Sequence, residues 1–442
     1  MSALKTLRSG DLGGPQVLGL AGTLLVVLVA HGVLATPAVG LTGMAVVVAA
    51  WLLPGGQRPS RRRTLWTLAL WGTPLLFVPP FLSGDIYSYL AQGELARRGL
   101  DPYTTGPAVL GQDNPLTSLV SPLWQQTPSP YGPVFTLLER LIASVSGGNV
   151  HIGVTLCRLL ALGGIALIVW AVPRLAVRVG VSAENALWLA VLNPLVLWHF
   201  IGGGHNDALM VGLVVAGLEL VLAGSAWGMP LLCVAANVKV TAVVAVAVAG
   251  VELVKRRPVV GAVTTLGMLA AITALASWAG GFGWVRTLAT SNSVPSWLAP
   301  TNWPGFVDAS LFGVGKAIGA ALALTAVAML LWRQWHGRLS PPLVLGWGMA
   351  AVIAGGPVVQ PWYLLWAIVP LASAINAGRA RAILIGVVAV FALVLPPVRD
   401  TGGNLALGYL IAISALVVIF FFKKWTKLRT APLSGCGPYR AH

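Results

Sequence analysis

The sequence predicts an all-α polytopic membrane protein, and three observations support that prediction. Of the 442 residues, 57% are hydrophobic and 9% are charged, and the mean hydropathy is +0.83. Soluble domains carry about 25% charged residues, so this chain has too few to cover a water-facing surface. Many apolar stretches approach the roughly 20 residues that cross a bilayer, and the basic residues group in the loops between them. A soluble enzyme and a disordered chain are both excluded.

The net charge of +16 comes from 28 basic and 12 acidic residues. Cytoplasmic loops of membrane proteins collect lysine and arginine, so we expect a lipid bilayer as partner and no nucleic acid. The three cysteines are far apart and show no spacing typical of a disulfide framework or a metal site. The first apolar run is too long for a signal-peptide core, which predicts a retained helix.

Twelve full transmembrane helices are predicted, and the basic clusters fix their orientation. The predicted spans are 15–35, 38–54, 64–82, 150–172, 186–202, 207–224, 259–279, 306–331, 342–358, 362–377, 382–397 and 405–422. With the N-terminus in the cytoplasm, the basic clusters fall on the cytoplasmic side. These clusters are Lys5 with Arg8, Arg58 with Arg61 to Arg63, Arg174 with Arg178, Arg333 with Arg338, Arg379 with Arg381, and Lys423 to Arg429.

Segment 229–254 is the exception to this alternation. A single crossing would invert every later loop, and Asn237 and Lys239 lie at its middle. A short helical hairpin that dips into the membrane and returns satisfies the charge rule. Irregular backbone at that depth is tolerated where it is buried in protein or lines a cavity. We therefore expect a cavity near Lys239, although one full span over 229–254 stays open as an alternative.

Residues 83–149 form the longest polar stretch and predict a large first outer loop. Two amphipathic helices are expected in it, one after Asp85 and one in GPVFTLLERLIASV, both lying in the membrane interface. Glu139 and its neighbour Arg140 predict a solvated face or a local ion pair. The chain is otherwise interpreted as a single transmembrane domain over 1–442.

Asp85 is the first candidate functional residue, because it comes shortly after a predicted span ends, at the depth of the lipid headgroups. It shares one face of the following helix with Tyr89 and Gln92. Two interpretations stay open. Either Ser83 or Asp85 only caps that helix, or Asp85 is a catalytic carboxylate.

The second candidate is GGGHND, residues 202–207, at the outer end of another helix. Glycines allow close approach of a ligand, and free N–H groups at the start of the next helix favour an anion. His205, Asn206 and Asp207 could hold a phosphate or sugar hydroxyls, whereas a plain capped turn is the alternative. Lys239 indicates function, because a buried ammonium is costly.

The remaining candidates lie at other outer positions. Arg286, in the second outer loop, is a candidate phosphate ligand, whereas Arg158 lies near enough to a helix end to reach the interface. In VVQPWY, Gln360, Trp362 and Tyr363 suit a sugar, and an aromatic belt at the membrane surface is the alternative. The outer positions together favour a reaction at the headgroup level, with one substrate presented from the lipid.

Four motifs carry a resemblance to a known family. GDIYSYLAQGELARRGLDPYTTGP, SPYGPVF, GGGHNDALMVGL and QPWYLLW, between about Thr64 and Tyr363, resemble the actinobacterial polyprenyl-phosphomannose-dependent α-1,6-mannosyltransferases. These enzymes build the mannan backbone of lipomannan and lipoarabinomannan and belong to the GT-C class of glycosyltransferases. The resemblance implies a multi-pass enzyme of the plasma membrane whose active site is on the outer, periplasmic face.

The resemblance also implies a mechanism and its residues. A β-mannosyl phosphate on a polyprenyl chain would be the donor, and a mannosylated phosphoinositide or lipomannan the acceptor. Inversion needs one base and no acid, and partial desolvation would tune the Asp85 carboxylate for that role. No cofactor and no metal are implied. The expected phosphate ligands are His205, Lys239 and Arg286, and the expected sugar or acceptor ligands are Tyr89, Gln92, Tyr131, Asn206, Asp207, Gln360, Trp362 and Tyr363.

Two other functions compete with this prediction. A related transferase could use another polyprenyl-linked sugar, such as arabinose or glucose, or form an α-1,2 linkage. A secondary transporter would explain polar residues in a broken helix around Asn237 and Lys239. The sequence shows no repeated halves, and its candidate charges lie toward the outer face, which favours the transferase.

Overall fold

The computed structural model describes residues 13–34, 36–53, 60–288, 290, 295–396 and 405–430, and this part of the chain is helical without any strand. The longer helices are α1 (Gly14–Ala30), α2 (Pro37–Leu52), α3 (Arg61–Leu75), α4 (Asp85–Arg97), α5 (Pro133–Ser146), α6 (Val150–Arg178), α7 (Ala183–Val191), α8 (Asp207–Leu222), α9 (Gly228–Val238), α10 (Val243–Arg256), α11 (Pro258–Gly280), α12 (Leu311–Trp335), α13 (Pro341–Gly355), α14 (Leu364–Ala374), α15 (Gly378–Phe391) and α16 (Leu405–Thr430). A π-helix spans Val196–Gly202. Shorter helices span Pro107–Leu110, Pro115–Leu119, Pro122–Gln125, Val240–Ala242, Trp284–Thr287, Pro300–Asn302, Trp303–Val307 and Pro361–Tyr363. The predicted all-α class is confirmed.

The chain forms two compact units. One combines residues 1–57 with 396–442, and the other comprises 58–395. In the first unit, α1 and α2 pack closely, since a Cβ on Gly22 would lie 2.7 Å from the carbonyl oxygen of Gly43. All candidate site residues belong to the second unit. A single catalytic domain over 1–442 stays a prediction.

Three of the described helices are long and apolar enough to cross a membrane, namely α6, α11 and α12. A fourth span is counted if α7 and the π-helix, which are bent by 62°, form one crossing. The other apolar helices have 10–17 residues, fewer than the roughly 20 that span a bilayer. The twelve-span topology therefore stays a prediction, and Lys5, Arg8 and Arg58 lie outside the described residues.

The predicted span 186–202 is not one continuous helix, because the helix is interrupted at Leu192 and Asn193, directly before Pro194. Proline has no N–H to donate to the helix. The Asn193 side chain satisfies the freed backbone groups: its Nδ2 donates to the carbonyl oxygen of Leu189 (2.7 Å), and its Oδ1 accepts from the N–H of Val196 (3.2 Å). The π-helix that follows leads directly into the GGGHND motif.

Segment 229–254 contains two short helices, α9 and α10, that are interrupted at Lys239. Lys239 has an extended backbone, with φ −149° and ψ 121°. Next to the break, Asn237 Nδ2 donates to Thr273 Oγ1 and to the carbonyl oxygen of Cys233, both at 2.9 Å. The interruption occurs at the polar centre of the segment, as expected, whereas a return to the cytoplasmic side stays a prediction.

Helix α4 is buried in protein on most of its surface. Ile86, Ser88 and every residue from Tyr89 to Leu95 are buried, and a Cβ on Gly93 would overlap the backbone of Glu139 on α5. The expected solvated face at Glu139 is wrong, since this side chain is only 1% exposed. Burial raises the pKa of the Glu139 carboxyl well above its ordinary value. The location of α4 and α5 in the membrane interface stays a prediction.

Candidate active site

Asp85 is the first residue of α4, and its carboxylate faces His205. The Ser83 hydroxyl accepts the Asp85 N–H at 3.1 Å, so Ser83 and not Asp85 satisfies a backbone group at this helix start. Asp85 Oδ2 lies 3.5 Å from His205 Nδ1. This separation is long for a hydrogen bond but short for an electrostatic interaction. The Asp85 side chain is therefore free of a capping role and is 24% exposed.

The electrostatic surroundings of Asp85 keep its carboxyl ionised. Burial raises the pKa of Asp85, but His205, Ser83 and Lys239 together lower it more. The pKa of Asp85 therefore lies below its ordinary value. The expected desolvation is present, but the neighbours outweigh it, and the result is a carboxylate available to accept a proton at neutral pH.

The turn at residues 202–204 brings His205 into the protein interior. Gly204 has φ +60°, a conformation that favours glycine. The His205 ring is fully buried and stacks on Trp362, with centroids 4.1 Å apart and planes inclined by 29°. His199 on the π-helix contacts both rings, with its centroid 5.1 Å from Trp362 and 5.7 Å from His205. The HND motif and the QPWY motif therefore meet in one place.

A buried ion pair joins Asp207 and Lys239. Lys239 Nζ lies 2.8 Å from Asp207 Oδ1, and the same oxygen accepts a 2.6 Å hydrogen bond from Trp366 Nε1. The ammonium also lies 4.5 Å from the Tyr363 ring centroid and 4.8 Å from that of Trp366. Rings at these distances stabilise a cation through their electron-rich faces. The alternative interpretation of a plain capped turn is not supported at Asn206, which makes no side-chain cap bond to α8.

The SPYGP motif, residues 129–133, packs against another side of this cluster. Gly132 N–H donates to the carbonyl oxygen of Val238 at 3.2 Å, which attaches the motif to the break before Lys239. Tyr131 thereby lies with its ring centroid 6.0 Å from Lys239 Nζ. The Tyr131 ring also meets Tyr89 edge-on at 5.3 Å, and the Tyr89 hydroxyl donates to Asn206 Oδ1 at 3.4 Å.

Several buried polar atoms around these residues have no hydrogen-bond partner within the described protein. They are Ser88 Oγ, Gln92 Oε1, His199 Nδ1, both ring nitrogens of His205, Asn206 Nδ2 and Asp207 Oδ2. Most buried polar groups in proteins are hydrogen-bonded, so such a concentration indicates a place where a polar ligand supplies the partners. The set contains donors and acceptors, as a polyhydroxylated ligand requires.

Most of the predicted site residues therefore lie in one cluster. The structure connects Asp85, Tyr89, Tyr131, His205, Asn206, Asp207, Lys239, Trp362 and Tyr363 through the contacts given above. Gln92 is buried on α4, and Gln360 is half-buried two residues before Trp362. Arg286 is exposed on the short helix Trp284–Thr287, and no contact among the described residues joins it to the cluster. Its role as a phosphate ligand stays a prediction.

Trp366 and His199 belong to the cluster but were not predicted from the sequence. Trp366 follows Trp362 by four residues and Tyr363 by three, the spacing that places side chains on one helix face. The motif QPWYLLW therefore contained this signal, but only Gln360, Trp362 and Tyr363 were selected from it as candidates. His199 is a polar residue in an apolar run, a signal that the sequence contained but that was not used. Among the described residues, no three His, Cys, Asp or Glu side chains come close enough to hold a metal ion.

Comparison with protein families provides an independent observation. A family model described as "Alpha-(1->6)-mannopyranosyltransferase, N-terminal domain" matches residues 3–255, which include Asp85, His205 and Lys239. The chain belongs to the alpha-(1->6)-mannopyranosyltransferase family. A second model, "MptB C-terminal domain", matches residues 296–423, which include Trp362. The two matched regions are in contact in the structure, because Trp362 from the second region stacks on His205 from the first.

Curated relatives agree with this family membership. The chain is 39% identical over 388 residues to a probable alpha-(1->6)-mannopyranosyltransferase of Mycolicibacterium smegmatis, covering 75% of this chain and 69% of the relative. It is 34% identical over 440 residues to alpha-(1->6)-mannopyranosyltransferase A of Mycobacterium tuberculosis, covering 87% and 85%. A third, alpha-(1->6)-mannopyranosyltransferase B of Corynebacterium glutamicum, is 32% identical over 390 residues, covering 76% and 65%.

No solved structure matches the chain. The resemblance drawn from the sequence motifs is confirmed by the family and its relatives. Together with the apolar helices, family membership supports a membrane mannosyltransferase.

The Asp207–Lys239 pair makes a prediction for stability. Asp207→Asn would leave a buried ammonium without its counter-charge, and breaking a buried pair on one side costs about 3–5 kcal/mol. We expect a clear loss of thermal stability in detergent, measured by the unfolding midpoint. The double variant Asp207→Asn/Lys239→Met should recover most of the loss. Equal destabilisation by the single and double variants would contradict the pairing, and Lys255→Met, at the more exposed Glu252–Lys255 pair, is the control.

Proposed function

We propose that this chain transfers mannose from a polyprenyl-phosphate-mannose donor to a lipid-anchored mannoside acceptor, with inversion and an α-1,6 linkage. The proposed location is the outer face of the plasma membrane, in lipomannan and lipoarabinomannan biosynthesis. One observation carries the proposal. A carboxylate that is ionised at neutral pH and a fixed ammonium lie in the same cluster of unpartnered polar groups, within a chain of the mannopyranosyltransferase family.

In the proposed reaction, Asp85 acts as the general base. It takes the proton of the acceptor hydroxyl while that oxygen attacks the anomeric carbon of mannose from the face opposite the phosphate. The bond between the anomeric carbon and the phosphate oxygen breaks, and its electron pair leaves with the phosphate. A phosphate leaves without protonation, so a single base is sufficient.

Lys239 and His205 are the proposed ligands of the donor phosphate. An ammonium has three N–H donors, and the Asp207 bond uses one of them. Asp207, Trp366 and the two aromatic rings hold the ammonium in a fixed position, so little reorganisation is needed as negative charge develops on the phosphate. His205 would add a donor on the side that faces Asp85.

Aromatic and polar side chains around this centre are suited to sugars. The Trp362 ring, which stacks on His205, provides an aromatic surface at the site. The unpartnered Asn206 Nδ2 and Asp207 Oδ2 provide one donor and one acceptor on adjacent residues. Gln92, Tyr89, Tyr131, Gln360 and Tyr363 are further proposed contacts of the donor or acceptor sugar. Polar atoms without protein partners favour a ligand rich in hydroxyl groups.

A cavity between α12 and α13 supports a long-chain lipid donor. It measures about 430 Å³ and is lined mainly by small and apolar residues, including Gly315, Gly319, Ala323 and Ala351. Ligand sites of about 300–1,000 Å³ with apolar walls are typical of small-molecule binding. Thr301, which also lines the cavity, donates from Oγ1 to the carbonyl oxygen of Gly356 at 2.8 Å.

Residues 356–362 connect the cavity to the site. Asn302 Nδ2 donates to the carbonyl oxygen of Pro357 at 2.9 Å, and Ser296 Oγ donates to that of Val359 at 3.0 Å. Trp362 follows only three residues after Val359 and stacks on His205. An isoprenoid chain in the cavity would thus be near the place where its phosphate is proposed to bind.

The first test concerns Asp85. Asp85→Asn keeps the shape of the side chain but removes the base, and loss of a general base lowers rates by about 100-fold or more. Transfer is measured in membranes with radiolabelled polyprenyl-phosphate-mannose and a short α-1,6-mannoside acceptor, at equal expression. Asp113→Asn, in an exposed turn, is the matched control and should keep full activity. Full activity in Asp85→Asn would contradict the proposed base.

The second test concerns the lipid chain. Ala323→Phe narrows the cavity, and we expect a KM for a decaprenyl donor that is about tenfold higher, equivalent to about 1.4 kcal/mol. The KM for a geranyl donor, which has too short a chain to depend on the cavity, should not change. Leu324→Phe, at a side chain that is 72% exposed on another face of α12, is the control. Equal effects on both donors would contradict a role for the cavity.

A further inference from the structure

Arg158 is a buried cation that the proposed reaction does not use. It lies two turns into α6, one of the candidate membrane spans, and is only 5% exposed. The expectation that its side chain reaches the membrane interface is wrong. Charged residues within membrane helices are costly and are retained where they have specific partners. The partners of Arg158 therefore indicate what it does.

The guanidinium of Arg158 joins two helix ends. Its Nη1 donates to the carbonyl oxygen of Leu76 at 2.8 Å, and its Nη2 donates to that of Gly202 at 2.6 Å. Leu76 follows the last residue of α3, and Gly202 is the last residue of the π-helix. Carbonyl groups at helix C-termini lack partners within the helix and attract cations. One rigid, planar group therefore fixes these two ends relative to each other.

The two helix ends lead directly to the Asp85–His205 pair. From Leu76 the chain passes through Phe81, whose ring meets Trp198 of the π-helix edge-on at 6.5 Å, and then reaches Asp85. From Gly202 only two residues intervene before His205. Eight residues separate Leu76 from Asp85, and the Phe81–Trp198 contact fixes the middle of this connection, so we expect a shift of either helix end to change the 3.5 Å separation within the pair.

The alkyl part of Arg158 packs against the same turn. A Cβ on Gly204 would lie 3.4 Å from Arg158 Cγ and 2.8 Å from Cδ1 of Ile86. The turn that carries His205 is thus packed between the stem of Arg158 and the residue after Asp85. Both the head and the stem of Arg158 contact the backbone that sets this pair.

We propose that Arg158 is a positioning residue that sets the approach of His205 to Asp85 by hydrogen-bonding the helix ends that precede them. The role rests on the proposed function, because it acts through the base assigned to Asp85. It differs from general stabilisation, because it predicts a change in the protonation of Asp85 and not only a loss of folded protein.

The pH dependence follows from the groups that face Asp85. His205, Ser83 and Lys239 lower its pKa against the effect of burial, and the other titratable groups around it are Tyr89, Tyr131, Asp207 and Tyr363. If His205 moves away, burial remains while part of the opposing effect is lost, so the pKa of Asp85 rises. Because the ionised form is the base, the acidic limb of the rate profile then moves to higher pH.

Arg381 provides a matched control within the same chain. It is a half-buried arginine that, like Arg158, donates to two backbone carbonyl groups, those of Asn185 at 2.9 Å and Ile375 at 3.3 Å. Neither carbonyl leads into the Asp85–His205 pair. Replacing arginine by lysine at either position keeps the charge but removes the planar fork, since one ammonium cannot match both carbonyl directions.

The experiment compares Arg158→Lys, Arg158→Gln and Arg381→Lys with the native chain in the mannose-transfer assay, with kcat and KM measured across pH. For Arg158→Lys we expect kcat to fall at least about tenfold and the acidic limb to move up by about half a pH unit. Arg158→Gln, which can still donate one hydrogen bond, should show the same direction. Arg381→Lys should keep both the native kcat and the native limb.

The possible outcomes separate a positioning role from a purely structural one. A lower kcat with an unmoved limb, in step with the fraction of folded protein measured by thermal unfolding, would show that Arg158 only stabilises the chain. The same loss in Arg381→Lys would also overturn the proposal. Absence of transfer by the native chain would instead overturn the proposed function, on which this role depends.

Discussion

The constraint on which the site depends is the burial of one ammonium group. Lys239 lies among apolar helices, where an unpaired charge is costly, and Asp207 supplies its counter-charge at 2.8 Å. This ion pair ties the start of α8 to the interruption between α9 and α10. Trp366 on α14 donates to the same carboxylate oxygen, and Tyr131 before α5 faces the ammonium. The contacts that stabilise this one cation therefore hold together segments that are far apart in sequence.

The side chains of the candidate site lie close together, and most of them also lie at the ends or interruptions of helices. Asp85 and Asp207 begin helices, Lys239 lies at an interruption, and Trp362 precedes α14. Helix ends expose backbone groups without partners, and an apolar environment does not supply water to satisfy them. Side chains and ligands must do so instead. The same requirement that makes helix ends difficult to place in a membrane also makes them suitable for binding a charged donor.

The sequence identified most of the polar residues of the candidate site but not which of them form pairs. Asp85, the HND motif, Lys239 and the QPWY motif were identified because each is a polar residue in an apolar context. The pairing of Asp207 with Lys239 was not predicted, since it depends on how α8 packs against the break 32 residues later. Trp366 differs, because its spacing from Trp362 and Tyr363 was a signal in the sequence, and only its bond to Asp207 depends on tertiary packing. The direction of the Asp85 pKa also depends on neighbours that only tertiary packing supplies.

The errors at helix level have a common cause. Hydropathy identified the apolar run 186–202 but not its interruption before Pro194, and amphipathic patterning did not show how completely α4 is buried against other parts of the protein. Arg158 was expected to reach the membrane interface because it lies near a helix end, and Glu139 was expected on a solvated face or in a local pair with Arg140, whereas both side chains are buried in protein. In a protein of this kind, burial against other helices and burial against lipid produce the same composition, so the sequence does not separate them.

The most direct test of the proposed mechanism is an experimental structure of the chain in lipid nanodiscs with an unreactive phosphonate analogue of polyprenyl-phosphate-mannose. The mechanism predicts that the phosphonate contacts the Lys239 ammonium, that the mannose ring lies at Trp362, and that the anomeric carbon is accessible to an acceptor next to Asp85. A headgroup bound elsewhere, for example at Arg286, with the Asp85 carboxylate remote from the sugar, would contradict it.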